Sequence, residues 1–106
     1  MATIERIHVF QTPVMADGVV YRAEAWGDQR HDGRFEGWLR FIPPDGRGIL
    51  STGRETTQSS RGALVYWATG LEPVYLEGAF ERAPPARGQM RVSRTSRRAR
   101  PARRGD

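Results

Sequence analysis

Alternation of apolar and polar residues predicts two β-strands in the middle of the chain. Between Val19 and Trp26 the odd positions are apolar, whereas Arg22 and Glu24 stand at even positions. The segment from Phe35 to Ile42 repeats this parity, and a period of two is typical of a strand with one buried face. Glycine and aspartate residues between the two segments favour a turn, so we predict an antiparallel hairpin.

The same parity predicts what the second face of this hairpin carries. Apolar odd residues must share one face, so the numbers of opposed residues must add to an even value, about 60 or 62. The outer face then gathers six charged or aromatic side chains. These are Arg22, Glu24, Trp26, Glu36, Trp38 and Arg40.

Weaker patterns on either side of the hairpin predict three further strands. The opening segment, Ile4 to Phe10, has mixed parity and is the least regular of them. A turn at Pro43-Pro44-Asp45-Gly46 leads into a strand from Gly48 to about Arg54. After Pro73, apolar and polar residues alternate again as far as Glu81, which predicts a final strand.

One helix is predicted before that final strand. Apolar residues recur there at the helical spacing i, i+3, i+4 and i+7. They are Leu64, Trp67, Ala68 and Leu71. Hydroxyl-rich residues 55–60 can cap the first amide groups, and Gly70 is a typical terminator. We therefore predict a short amphipathic helix over about residues 60 to 69.

Together these elements predict an α+β fold in the order β-β-β-β-α-β. An antiparallel sheet of four to five strands has its apolar face covered by one short helix. The 106 residues suffice for one small domain, which we place at residues 1–83. Residues 84–106 contain few large apolar side chains and are expected to form a disordered basic tail. The predicted core residues are Val19, Tyr21, Phe35, Leu39, Phe41, Leu64, Trp67, Leu71, Val74, Leu76 and Phe80.

Charge is divided unevenly between these two parts. All 17 basic residues are arginine, and the formal net charge is +5. Residues 1–81 hold eight arginines against eleven carboxylates, whereas residues 82–106 hold nine arginines and one aspartate. The domain is therefore mildly acidic, and the excess positive charge belongs to the tail.

The arginine-rich tail favours a non-enzymatic binding function. Guanidinium groups pair with phosphates and displace condensed counterions, so a flexible arm can bind RNA or DNA without sequence preference. The candidate nucleic-acid-binding residues are Arg91, Arg94, Arg97, Arg98, Arg100, Arg103 and Arg104. A solvated tail of biased composition, with no dedicated partner, is the alternative interpretation.

The outer sheet face leads to a second hypothesis. We treat Arg22, Trp26, Trp38 and Arg40 as a candidate interaction face. Aromatic and guanidinium groups on a sheet can stack with bases, although two glutamates on the same face would repel phosphate. The alternatives are simple cross-strand pairing, or a protein-interaction or homodimer interface in which the tail is incidental.

The remaining polar residues predict neither a catalytic nor a metal site. The absence of cysteine excludes disulfides, thiolate nucleophiles and cysteine-ligated metals. A general base at Glu55 would need His8 or His31 nearby, and helix capping accounts for its segment without that chemistry. Asp28, His31 and Asp32 are metal-capable, but they stand where the hairpin turn is expected. We expect no enzyme, metal or cofactor.

Hydropathy predicts a cytoplasmic protein that does not enter a membrane. No segment approaches the roughly 18 apolar residues that a membrane helix needs. The first ten residues include Glu5, Arg6 and His8 and lack the apolar region of a secretory signal.

Three segments of the domain resemble a family of short uncharacterised bacterial proteins. They are EGWLRFIP at 36–43, RETTQ at 54–58 and YWATGLEPVYLEG at 66–78. The resemblance covers about residues 18 to 83 and excludes the tail. It implies a bacterial origin, lends no activity or functional residue, and indicates that the tail is particular to this chain.

Overall fold

An antiparallel sheet of six strands and two helices make up residues 4–85, the part of the chain that the computed structural model describes. The strands are β1 (Glu5–Val9), β2 (Val14–Ala16), β3 (Val19–Gln29), β4 (Phe35–Ile42), β5 (Leu50–Ser51) and β6 (Thr56–Gln58). The helices are α1 (Arg61–Thr69) and α2 (Pro73–Arg82). The strand order is β1-β3-β4-β5, with β2 also paired to β3 and β6 also paired to β4. The predicted class, an α+β fold with an antiparallel sheet, is confirmed.

The hairpin of β3 and β4 is the centre of the sheet. Its parity is as predicted, but Trp26 is opposed to Trp38, so the numbers of opposed residues add to 64. The predicted sum of 60 or 62 is therefore wrong. The reason is that β3 continues to Gln29 and the turn is centred on Asp32. There the N–H of Arg30 donates to the carbonyl of Arg34 (2.7 Å).

Both helices pack against the face of the sheet that carries the odd-numbered residues. Leu64 of α1 lies over Gly27 and Gly37, and Phe80 of α2 contacts Tyr21 and Phe41 (ring centres 4.9 and 5.3 Å apart). The buried apolar residues are Phe10, Val14, Ala23, Ala25, Leu39, Phe41, Leu64, Ala68, Leu76 and Ala79. Four predicted core residues are among them, and small alanines that the prediction omitted supply much of the rest.

Helix α1 lies where the sequence predicts it. The Ser60 hydroxyl accepts a hydrogen bond from the N–H of Ala63 (3.1 Å), which is the expected N-cap interaction. Gly70 ends the helix, and its N–H bonds back to the carbonyls of Trp67 and Ala68.

The predicted final strand is wrong, because residues 73–82 form α2 instead. Pro73 occupies the first turn, where its missing N–H costs nothing. The residues that face the sheet follow helical spacing: Leu76, Ala79, Phe80 and Ala83. Val74, a predicted core residue, is 72% exposed on the outer side of this helix.

Two short strands were not predicted, and the strand predicted from Gly48 to about Arg54 is shorter than expected. Strand β2 turns into β3 at Asp17-Gly18, where both residues have positive φ (53° and 78°), as a two-residue hairpin turn requires. Only Leu50–Ser51 of the predicted 48–54 strand is regular, and the chain rejoins the same edge of β4 as β6.

The ends of the described segment agree in part with the predicted boundaries. The opening strand is confirmed as β1, with a bulge between Arg6 and His8. Pro84 and Pro85, predicted as the first tail residues, lie along β5: the Ser51 N–H donates to the carbonyl of Pro84 (2.9 Å). The remainder of the predicted tail lies outside the described residues.

Candidate functional site

The sheet face opposite the helices carries the candidate interaction residues. We call it the open face, defined by the outward residues of β3 and β4. They are Arg22, Glu24, Trp26, Asp28, Glu36, Trp38, Arg40 and Ile42. Their grouping follows from the parity that the sequence predicts, and Arg22, Trp26, Trp38 and Arg40 lie together on it as expected.

A buried carboxylate organises one end of the open face. Glu24 is only 2% exposed, although it lies on the face of the sheet opposite the helices. Its carboxylate accepts hydrogen bonds from Arg22 Nε (2.8 Å), Trp26 Nε1 (2.8 Å) and Arg6 Nη1 (3.4 Å). Both guanidinium groups remain about half exposed. Glu24 is therefore neutralised from within the protein and does not present a free negative charge.

Opposing effects act on the pKa of Glu24, and the net shift is downward. Burial by itself raises the pKa, because desolvation penalises the charged form. The hydrogen bonds from Trp26 and Arg22, with the positive charges of Arg22 and Arg6, outweigh burial and lower the pKa from its usual 4.5. The native protein therefore holds this group ionised.

The two tryptophans form the middle of the open face. Trp26 and Trp38 are opposed across the hairpin, and both are half-buried. The Arg40 guanidinium carbon lies 4.8 Å from the centre of the Trp26 ring, a cation–π contact. Trp26 thus has its N–H bonded to Glu24 and its ring covered by Arg40, which leaves it less available for stacking with bases than the sequence suggests.

Acidic groups form the opposite end of the open face. Asp28 and Glu36 are opposed there, and Arg30 lies 3.8 Å from Glu36 and 3.0 Å from Asp32 in its ion pairs. Asp32 also accepts a bond from the N–H of Arg34 (3.0 Å), so turn chemistry is confirmed for this residue. Asp28 Oδ1 is buried without a hydrogen-bond partner among the described residues.

Charged groups gather at both ends of the open face and at its borders. At one end, Arg22 and Arg40 of the face and the neighbouring Arg6 surround Glu24. At the other end, Asp28, Glu36 and the neighbouring Asp32 lie among Arg30, Arg34 and Arg54. The tryptophan pair separates the two ends. Arg6 and Asp28 were not predicted as part of a site, because parity alone does not show which charges reach one another.

Glu55 belongs to a different cluster and does not cap a helix. Its carboxylate accepts hydrogen bonds from the Tyr75 hydroxyl (2.5 Å) and from Arg82 Nη2 (2.8 Å), both on α2. Burial and the neighbouring carboxylate raise the pKa of Tyr75 above its usual 10.0. Glu55 therefore ties the β5–β6 connection to α2. Among the described residues its partners are Tyr75 and Arg82, and not His8 or His31, as the general-base hypothesis requires.

Acid is expected to destabilise the fold through Glu24. Because its native pKa is lowered, its contribution is complete above the usual 4.5 and is lost as the pH falls below that value. Urea unfolding at a series of pH values from neutral to acid measures this loss. Exposed Glu5 and Asp32 also have lowered pKa values and contribute with the same sign.

A Glu24→Gln variant isolates the buried group in this experiment. The amide keeps the shape of the side chain but cannot titrate, so its stability should fall less steeply with acid than that of the wild type. Equal slopes for the two proteins would show that Glu24 is not the group responsible.

The seven candidate tail arginines, Arg91 to Arg104, lie outside the described residues.

Comparisons with family models, with curated proteins and with solved structures give no match. Between residues 4 and 85, neither helix is long and apolar enough to cross a membrane. Within that same part of the chain, no cluster of three histidine or acidic side chains is placed to hold a metal ion. The family resemblance stays a prediction.

Proposed function

We propose that this protein binds RNA or DNA without sequence preference through the arginines of its C-terminal segment. The folded domain anchors that segment and supplies little of the affinity. In this proposal the phosphate backbone of the nucleic acid is the recognised chemistry, and Arg91, Arg94, Arg97, Arg98, Arg100, Arg103 and Arg104 are the contacting residues.

The observation that carries the proposal is the internal pairing of charge in the domain. Residues 4–85 hold nine arginines against eleven carboxylates, so the domain is net acidic. Five of the nine arginines are held in ion pairs with carboxylates of the same domain. These are Arg6, Arg22, Arg30, Arg61 and Arg82. A polyanion therefore finds its excess of cations in residues 86–106, which carry eight arginines and one aspartate.

Binding to a labelled single-stranded oligonucleotide tests the proposal. In the full-length chain, glutamine is substituted at the seven named tail arginines, and affinity is measured by fluorescence anisotropy at several salt concentrations. We expect the wild type to show a log–log salt slope near −5, from about 0.7 per phosphate contact on single strands. The substituted protein should lose about 100-fold or more in affinity at low salt.

Matched substitutions in the domain serve as the control. Arg34, Arg47 and Arg54 are exposed in the connections between strands, and changing all three to glutamine removes positive charge without touching the tail. That variant should bind within about threefold of the wild type. Binding that survives loss of the seven tail arginines would refute the proposal, and so would wild-type binding that polyglutamate displaces as readily as nucleic acid does.

A further inference from the structure

The outer face of α2 carries two carboxylates near the point where the chain leaves this helix. We define this face by Val74, Glu77 and Glu81, all of which are exposed. From its charge and its position, we infer that residues 87–91 of the C-terminal segment dock back on it. The docking itself does not depend on nucleic-acid binding, whereas its competition with nucleic acid rests on the proposed function.

Helical spacing places this face away from the sheet. Leu76, Ala79 and Phe80 pack toward the sheet. With 3.6 residues in each turn, Glu77 and Glu81 therefore lie on the solvent side of α2, one above the other and one turn apart. Among residues 4–85, neither carboxylate has an ion pair or a hydrogen bond. The outer face of α2 thus presents two uncompensated negative charges to solvent.

Two effects make this position unfavourable for carboxylates. Like charges at the spacing i, i+4 repel each other. The last turn of a helix also has a partial negative charge, which disfavours a carboxylate such as Glu81. Arg82 is the basic residue of that turn, but its guanidinium group donates to Glu55 (2.8 Å). A second cation that reaches Glu77 and Glu81 would therefore relieve both effects.

The path of the chain selects residues 87–91 as the occupant. After α2 the chain passes beside β5, where the carbonyl of Pro84 accepts a hydrogen bond from Ser51 N–H (2.9 Å). Each further residue can extend the chain by about 3.3 to 3.6 Å. The side chain of Arg87 is therefore within reach of Glu81. Arg91 has enough chain to reach the preceding turn, which is about 5.4 Å away along the helix.

Charge and proximity favour this segment over a separate molecule. Residues 86–106 carry eight arginines and one aspartate. A connection of a few residues holds them near α2 at an effective concentration in the millimolar range. Exposed ion pairs are individually weak, so two of them give a docked state that is easily released. Because Arg91 is also a proposed phosphate contact, nucleic acid should displace the docked segment.

Paramagnetic relaxation enhancement in the full-length chain tests the docking. The sequence has no cysteine, so Gln89→Cys provides a single site for a nitroxide spin label between the two docking arginines. At low salt, the label should broaden the amide signals of Val74 and Glu77, which lie one turn or more before the end of α2. At about 1 M salt, where the Debye length is about 3 Å, most of this broadening should disappear.

A pair of substitutions on the outer face of α2 removes the proposed contacts. Glu77→Gln with Glu81→Gln in the labelled chain should lower the relaxation enhancement at Val74 by about threefold or more, since two exposed ion pairs are lost. The matched control is Asp17→Asn with Glu72→Gln. It removes two exposed negative charges away from this face and should leave the enhancement unchanged.

The docking is overturned if the wild-type enhancement at low salt equals that at 1 M salt, or if the control pair lowers it as much as the pair at positions 77 and 81. Retained signal dispersion in the same spectra shows that each variant is folded. Addition of the single-stranded oligonucleotide should then reduce the wild-type enhancement. If the enhancement is present but fluorescence anisotropy detects no oligonucleotide binding, the docking stands and the proposed function fails. If the oligonucleotide binds and the enhancement does not change, the competition is refuted.

Discussion

Leu64→Ala is expected to lower the free energy of unfolding by about 3 to 4 kcal/mol, because it empties the contact between α1 and the sheet. Leu64 is 1% exposed and lies over Gly27 and Gly37, which oppose each other across β3 and β4. A Cβ at Gly37 would come within 2.6 Å of Leu64 Cδ1, and one at Gly27 within 2.5 Å of its Cδ2. Two glycines thus form the depression that receives this side chain.

The complementary substitution is Gly37→Ala, which should cost about 2 kcal/mol through overpacking. In the Leu64→Ala background the added methyl group enters vacated space, so its cost should fall by about 1 to 2 kcal/mol. Gly53→Ala is the control, since its added methyl group meets nothing within 4 Å. Urea unfolding followed by tryptophan fluorescence measures the cycle, with Leu64→Val as the milder change. Additive costs for positions 37 and 64 would contradict this account of the depression.

The two central strands were predictable because one face is buried and the period of two repeats over eight residues in each of them. The bounds predicted for the second strand, 35–42, are those of β4. The register between β3 and β4 was less predictable, because Gly27 and Asp28 are residue types that are typical of turns. Gly27 is instead a strand residue that admits Leu64, so its lack of a side chain serves packing rather than turning.

Helix α2 was not predictable from parity, for a definite reason. Val74, Leu76 and Phe80 all stand at even positions. Over this short segment the apolar residues of the helix therefore show the period of two that is typical of a strand. The better signals were Pro73 at a helix start and the i, i+3, i+4, i+7 spacing from Leu76 to Ala83. Two of these four positions are the small residues Ala79 and Ala83, so the large apolar residues alone do not show the helical spacing.

The sequence predicts which residues of β3 and β4 lie on the open face, but not which hydrogen bonds and ion pairs they form. Parity places Arg22, Glu24 and Trp26 on one face, and this much follows from sequence alone. The burial of Glu24 depends on Arg6, which arrives from β1 across the register shift between Arg6 and His8. A bulge changes the parity of a strand, so no pattern within β1 indicates which of its side chains meet Glu24.

Glu24→Ala is expected to lower the free energy of unfolding by about 3 kcal/mol, near the lower limit for breaking a buried ion pair. The lower limit applies because the guanidinium groups of Arg6 and Arg22 are about half exposed. Water can therefore solvate both groups after the carboxylate is removed. Trp26 Nε1, which donates to the same carboxylate, loses its partner as well. Chemical unfolding at neutral pH, where Glu24 is ionised, measures the full loss.

A control on the same face separates this effect from the general cost of removing a charge. Glu36 is half-buried, and its ion pair with Arg30 is long (3.8 Å), so Glu36→Ala should cost under about 1 kcal/mol. In a background that already lacks Arg22, Glu24→Ala should cost less than in the wild type, because one of its partners is gone. If Glu24→Ala and Glu36→Ala cost the same, the carboxylate bonded to Arg22 and Trp26 does not organise this end of the sheet.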